Sequence, residues 1–266
     1  MVRGAVRDGA VIRATGDVEV WGPVGEAVIV AGRNVVLRGK VVGFDQASIR
    51  AGGSIAAISI EEADVAAKDS LFVLNSLDGC RAGARRRVIM GSEGKLVGGT
   101  VLAGELLQVA VLGSSGGPPT MVKVATPEIL VKWQELRREV FAEEKERIKE
   151  AAARLQSGID ALSRRRARRG GQLEPQNEKL LQRMKRELSQ NSYLRDELEE
   201  RMKKIPGREE FARAGRIAGL RKLHSGVTIQ MGTINFAPRD EKECQQLISG
   251  PDGLTMEWIE SCLATF

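Results

Sequence analysis

Val18, Val24, Val30, Val36 and Val42 recur every six residues, and Ile12 extends the series one step earlier. An α-helix repeats its faces every 3.6 residues and a strand every two, so neither element generates this spacing. A solenoid with three short faces per coil does, because one inward residue then falls at the same place on each face. Residues 5 to about 124 vary one pattern, as in Val28-Ile-Val-Ala-Gly-Arg-Asn-Val35 and Thr100-Val-Leu-Ala-Gly-Glu-Leu-Leu107. Each is a short β-type run, a glycine or polar corner and another short run. Ile29 and Ile49 stand 20 apart, and Ile49 and Val65 stand 16 apart, so coils vary around 18 residues and five or six fit. Only 4% of residues are aromatic, which suits a narrow interior of stacked Val, Ile, Leu and Ala. The Cys80–Arg87 stretch interrupts the pattern and is read as an outward loop. Gly113-Ser-Ser-Gly-Gly-Pro-Pro-Thr120 is read as the hinge where the chain leaves the solenoid, with 121–124 as a last strand.

The period then changes. Thr126 is placed as the N-cap and Pro127 as the first residue of a helix. Ile129, Trp133, Leu136 and Val140, then Ile148, Ala152, Leu155, Ile159 and Leu162, follow helical spacing up to Gly170-Gly171. Leu181, Met184, Leu188, Asn191, Arg195, Leu198, Met202 and Ile205 alternate three and four apart, a heptad seam with two polar breaks. Asn191 and Arg195 either fix register or mark where the seam opens to a partner. Pro206-Gly207 closes the pair, and β-type alternation returns at Val227, Ile229 and Met231 and at Leu254, Met256 and Trp258, after a Gly250-Pro-Asp-Gly253 turn. The predicted fold is mainly β with an α insertion: a parallel β-helix over 1–125, an antiparallel coiled-coil hairpin over 126–206, and a C-terminal β segment over 207–266 that caps or completes the β-helix.

The order of these parts resembles the flagellar assembly protein A family of bacteria. The residues that carry the resemblance are Ala51-Gly-Gly-Ser54, Gly98-Gly-Thr-Val-Leu-Ala-Gly104, Gly113–Thr120, the immediate switch into helix, and His224-Ser-Gly-Val-Thr-Ile229. The resemblance implies a right-handed β-helix interrupted by a helical hairpin, and a non-enzymatic role linked in some members to flagellar assembly. It supplies no catalytic residues. Many relatives carry a domain ahead of the β-helix, whereas this sequence opens almost at the first coil, and Glu257–Phe266 matches nothing in the family pattern.

Few residues offer chemistry. The chain has one histidine, His224, and three cysteines, Cys80, Cys244 and Cys262, without CxxC spacing. That composition argues against a zinc site, and no cofactor is expected. The six-residue period also suits hexapeptide acyltransferases, but the repeat contains no histidine. His224 is read as a partly buried strand-end residue, with a catalytic role as the rival reading. Asp45, Asp64, Asp69 and Asp78 are too scattered for the carboxylate cluster of a β-helix lyase. Gly113–Thr120 lacks the Lys-Ser/Thr ending of a phosphate loop. The start has no apolar signal segment, and no apolar run approaches a membrane span, so a cytoplasmic location is expected.

Charge is the remaining signal. Of the net +6, residues 126–206 carry +5. Arg164, Arg165, Arg166, Arg168 and Arg169 cluster at the predicted hairpin tip and form the candidate partner-binding site. Three readings stay open for them: a solvated helix end, an acidic protein or other anionic surface, and nucleic acid. The last has least support, because no aromatic residue accompanies the run. Arg81, Arg85, Arg86 and Arg87 form a second cluster. The expected function is a structural or interaction scaffold that presents the helical arm to a protein partner, with homo-oligomer formation open. The competing classes are an enzyme acting on a carbohydrate or acyl group in a β-helix groove and an anion-binding module acting through the arginine-rich tip.

Overall fold

A computed structural model describes residues 1–203, 215–243, 246–250 and 253–257. Ile205, Pro206-Gly207, Cys244, Cys262 and Trp258, all used in the sequence reading, lie outside the described residues. The strands before the helices are β1 (Val11–Ala14), β2 (Val18–Val20), β3 (Val28–Ala31), β4 (Val35–Leu37), β5 (Val41–Ala51), β6 (Ile55–Ala67) and β7 (Ser70–Asp78). They continue with β8 (Arg81–Ala84), β9 (Arg87–Met90), β10 (Lys95–Val97), β11 (Gly99–Ala103), β12 (Leu106–Gln108), β13 (Val111–Leu112) and β14 (Thr120–Val124). Helices α1 (Pro127–Arg168) and α2 (Pro175–Lys203) follow. The chain ends with β15 (Arg216–Ala218), β16 (Lys222–Leu223), β17 (Val227–Met231), β18 (Ile234–Phe236), β19 (Gln246–Gly250) and β20 (Gly253–Glu257).

Parallel pairing sorts these strands into three ladders, the faces of a β-solenoid. The first runs β1, β3, β5, β6, β8, β11, β14 and β17. The second runs β2, β4, β6, β7, β9, β12 and β15. The third steps from Val6 through Val24, Val41, Ile60, Leu77 and Leu96 to Leu112, about six turns. Long strands such as β6 bend round corners and so contribute to more than one ladder. The spacing argument is borne out here: Ile29 pairs with Ile49, and Ile49 with Val65.

The phase of the valine ladder is not. Val18 and Val24 point inward, but Val30, Val36 and Val42 are only half-buried, and Ile29, Val35 and Val41 fill the core instead. Val11↔Val28, Val18↔Val35 and Val24↔Val41 are each 17 residues apart, so one side of that coil is a residue short of six. A one-residue slip turns every side chain to the other surface of its strand.

The interior is aliphatic. Ile29, Leu37, Ile49, Ile55, Ile60, Leu71, Leu77, Leu96, Leu107 and Leu112 are fully buried, and among the described residues no aromatic side chain is buried in the solenoid. One coil cannot hide its inward surface, so stability comes from stacking on its neighbours. The Cys80–Arg87 stretch is corrected from loop to strand: β8 and β9 pair on both sides, with Ala82, Ala84 and Val88 inward. Arginines at the outward positions disguised this alternation. The Gly113–Thr120 stretch is also corrected. It is the corner between β13 and β14, where Gly113 at φ 77 donates its N–H to Leu96 O at 2.8 Å, and the chain leaves the solenoid only after Val124.

The solenoid resumes after the helices. β15 pairs with β12, β16 with β13 and β17 with β14, all parallel and in register. The chain then reverses: β18 lies antiparallel on β17, Lys242 antiparallel on Leu223, and β19 antiparallel on β15. This reversed lap crosses all three faces and covers their upward-pointing backbone groups. Such groups otherwise form a template for further pairing. β20 adds to β19 with Gly250 opposite Gly253.

By contact density the chain divides into Met1–Val131 with Gly207–Phe266, and Lys132–Pro206. Within the second unit, α1 ends at Arg168, and Gly170 and Gly171 turn the chain with positive φ. No described helix is long and apolar enough to cross a membrane.

Candidate functional site

The corner between the first and second faces carries a polar ladder. Asp17 Oδ1 accepts from the Asn34 backbone N–H and from Asn34 Nδ2, both at 3.0 Å. Asn34 Oδ1 accepts from the Ser54 N–H at 2.9 Å, and Ser54 Oγ donates to Asp69 at 3.1 Å. Arg86 then stands 3.6 Å from Asp69 and 3.4 Å from Glu105. One residue per coil therefore hands a hydrogen bond or ion pair to the next, and the Asn34 amide holds the Asp17 carboxyl below its ordinary range. On the next coil this same corner is replaced by the helical insertion, between β14 and β15.

Thr126 occupies the predicted N-cap position but does not cap with its side chain. Its carbonyl accepts from the Ile129 N–H at 3.0 Å, while its buried hydroxyl has no hydrogen-bond partner among the described residues. The preceding Ala125 has φ 50, which turns the chain out of the β ladder.

Along the insertion, cross-contacts fall in opposite order on the two helices. Lys145 meets Glu199 at 3.2 Å, Gly158 lies beneath Met184, and Arg166 and Arg169 meet Glu178 and Glu174 at 3.5 and 2.8 Å. Leu181 and Leu198 are buried and Asn191 half-buried, whereas Arg195 is exposed and paired with Asp196 at 3.2 Å. A groove opens there, lined by Lys145, Ile148, Ala152, Leu188, Asn191 and Arg195.

The five tip arginines divide into two groups. Arg166 donates to Gly171 O at 2.9 Å and Arg169 binds Glu174, whose carboxyl Arg169 and then Arg165 hold below the usual range. These contacts tie the turn. Arg164 and Arg168 are exposed, with no ion pair among the described residues. In the second cluster, Arg86 and Arg87 are matched to Glu105 and Arg86 also to Asp69, so coil-to-coil pairing absorbs that charge.

The remaining candidates stay apart. Asp64 binds Arg50 at 2.5 Å, Asp69 belongs to the corner ladder, and Asp45 sits in an outward bulge at φ 61. Burial pushes the Cys80 thiol up to about 11, and it donates to the Ile60 and Asp78 carbonyls. Among the described residues no group of acidic, histidine or cysteine side chains has metal-binding geometry. His224, 7% exposed, places Nδ1 2.6 Å from Glu241 Oε1, and Lys222 holds the other oxygen at 3.0 Å.

A family model, the Flagellar Assembly Protein A beta solenoid domain, matches residues 1–249. The chain belongs to this family. The Flagellar Assembly Protein A match runs through both flanks of the insertion and stops within β19, leaving β20 and the residues beyond it outside. No curated protein and no solved structure matches the chain. The polar corner ladder and Glu241 escaped the sequence reading, although Asp17, Asn34, Ser54, Asp69, Arg86 and Glu105 recur at coil spacing and so carried a signal.

Proposed function

We propose that this protein is a non-enzymatic, cytoplasmic scaffold of flagellar assembly whose helical insertion is its protein-contact element. In this reading α1 and α2 form an antiparallel coiled-coil hairpin, consistent with the opposed order of their cross-contacts. The solenoid, wound right-handed as the family resemblance implies, is the support.

The observation that carries the reading is the register across the insertion. β12 and β15 pair as ordinary neighbours although both helices intervene, so the helices are not needed to bridge the coils. Exposed guanidinium groups at Arg164 and Arg168 suit an acidic protein surface, because a planar fork pairs bidentately with carboxylates. Opening of the seam at Asn191 and Arg195 offers a second contact along the same element.

The test replaces residues 132–206 by a short Gly/Ser linker. The shortened protein keeps a cooperative β-type melt by circular dichroism and loses the partners that the full chain captures. Retention of those partners by the shortened protein refutes the assignment.

A further inference from the structure

The groove between α1 and α2 is a place where the helix seam is left unfilled. Arg195 holds a seam position, yet its guanidinium swings out to Asp196 at 3.2 Å, and Ile148 on the facing helix stays only half-buried. One turn further along α1, Ala152 is too short to fill the gap. At Gly158 the seam is closed again, because an added Cβ there would collide with Met184 Cε. Inside the opening Asn191 is half-buried, and its side-chain amide makes no hydrogen bond among the described residues. Such an amide offers both donors and an acceptor to whatever lies against it.

Shape and charge together select the occupant. Ile148, Ala152 and Leu188 supply an apolar floor, and the charged residues along it are Lys145, Lys149 and Arg195 against Glu199 alone. The cations pair with Glu199, Glu146 and Asp196 at 3.2, 3.1 and 3.2 Å, all in exposed positions. Exposed pairs of this kind exchange readily for another carboxylate. From Lys145 to Ala152 the helix rises about 10 Å, room for about two turns of a third helix. An extended strand does not suit the site, because helix walls offer no partners for its backbone N–H and C=O groups. A second copy does not suit it either. The segment 126–206 carries +5 of the net +6, so another copy's helices arrive with like charge.

We propose that this groove takes one acidic, amphipathic helix of a partner protein, with a polar residue opposite Asn191, and that the three helices then form a bundle. This names the partner class for the insertion read above as the protein-contact element, and it rests on that reading. Carboxylates on the incoming helix meet Lys145, Lys149 and Arg195, and its apolar stripe covers Ile148, Ala152 and Leu188.

The probe is a fluorescein-labelled designed helix of three heptads, with Leu at a and d, one central Asn at a, and Glu at e and g, which keeps it from pairing with itself. Its anisotropy is followed against the full chain. Binding is saturable and about ten-fold tighter than that of the same helix with Lys in place of Glu. Ser192→Trp, which places an indole in the groove from an exposed rim position, weakens it several-fold. Gln190→Trp, exposed on the same helix but outside the groove, leaves it unchanged. Should Ser192→Trp lose helix by circular dichroism, Ala152→Leu, which fills the floor, carries the same test. No saturable binding, equal affinity for the lysine helix, or binding that survives both fillings overturns the proposal. Self-association by light scattering that Ser192→Trp abolishes assigns the groove to a second copy and also overturns it. None of these results alters the comparison of partner capture with and without residues 132–206, so the wider reading fails or stands separately.

Discussion

Leu107 and Ile217 are fully buried cross-strand partners, yet the whole helical insertion lies between them in sequence. Their pairing makes the solenoid one continuous stack with a helical unit spliced into a single corner. Two ordinary coils elsewhere, such as those of Val88 and Leu107, meet in the same way.

The phase of the coils predicts a sharp contrast between adjacent positions. Ile49→Ala, inside the stack, costs about 2–5 kcal/mol through lost burial and a residual cavity. Val36→Ala, outward on β4, stays within about 0.5 kcal/mol. Chemical denaturation of the two variants measures both, and equal losses would contradict the observed phase.

Thr126 gives a prediction of opposite sign to its sequence reading. A capping threonine loses about 1 kcal/mol when its hydroxyl is removed. A buried hydroxyl without a partner carries only its desolvation cost, so Thr126→Val is neutral or raises the melting temperature. A clear drop would show that the hydroxyl is satisfied.

The clamp on the reversed lap titrates with Glu241. Its carboxyl is held below the ordinary glutamate range, first by the Lys222 hydrogen bond and then by His224. A lowered folded pKa stabilises the clamp above the unfolded glutamate value, and that stabilisation is lost as pH falls through the folded value. The protection factors of the Leu223 and Lys242 amides, which bond across this junction at 2.8 Å, therefore fall on acidification once the intrinsic slowing of exchange at low pH is divided out. Glu241→Gln exchanges faster at neutral pH and removes the part of the pH dependence due to this group.

The period was legible because corners change coil length without changing the hydrophobic spacing along each face, as the Ile29–Ile49–Val65 steps demonstrate. The phase was not, because a single 17-residue coil shifts the core from Val30, Val36 and Val42 to Ile29, Val35 and Val41. The stretch with Arg86 and Arg87 read as a loop because composition does not reveal that Asp69 and Glu105 on adjacent coils match their charge. The tip cluster was visible as a run, but its division was not. Gly171, Glu174 and Glu178 engage Arg166 and Arg169 only once the chain has turned. Reversal of direction after β17 left no mark in the alternation of Val227, Ile229 and Met231.

Under the proposed function, the insertion and not the solenoid makes the protein contacts. Crosslinking mass spectrometry in the native cell, comparing the natural chain with one carrying Gln or Ser at Arg164, Arg165, Arg166, Arg168 and Arg169, tests it most directly. Intermolecular crosslinks are expected to concentrate on Lys145, Lys149, Lys179 and Lys185 of the insertion, and to be sharply reduced in the substituted chain. Crosslinks concentrated on Lys40, Lys68, Lys95 and Lys123 of the solenoid, and unchanged by the substitutions, would contradict it.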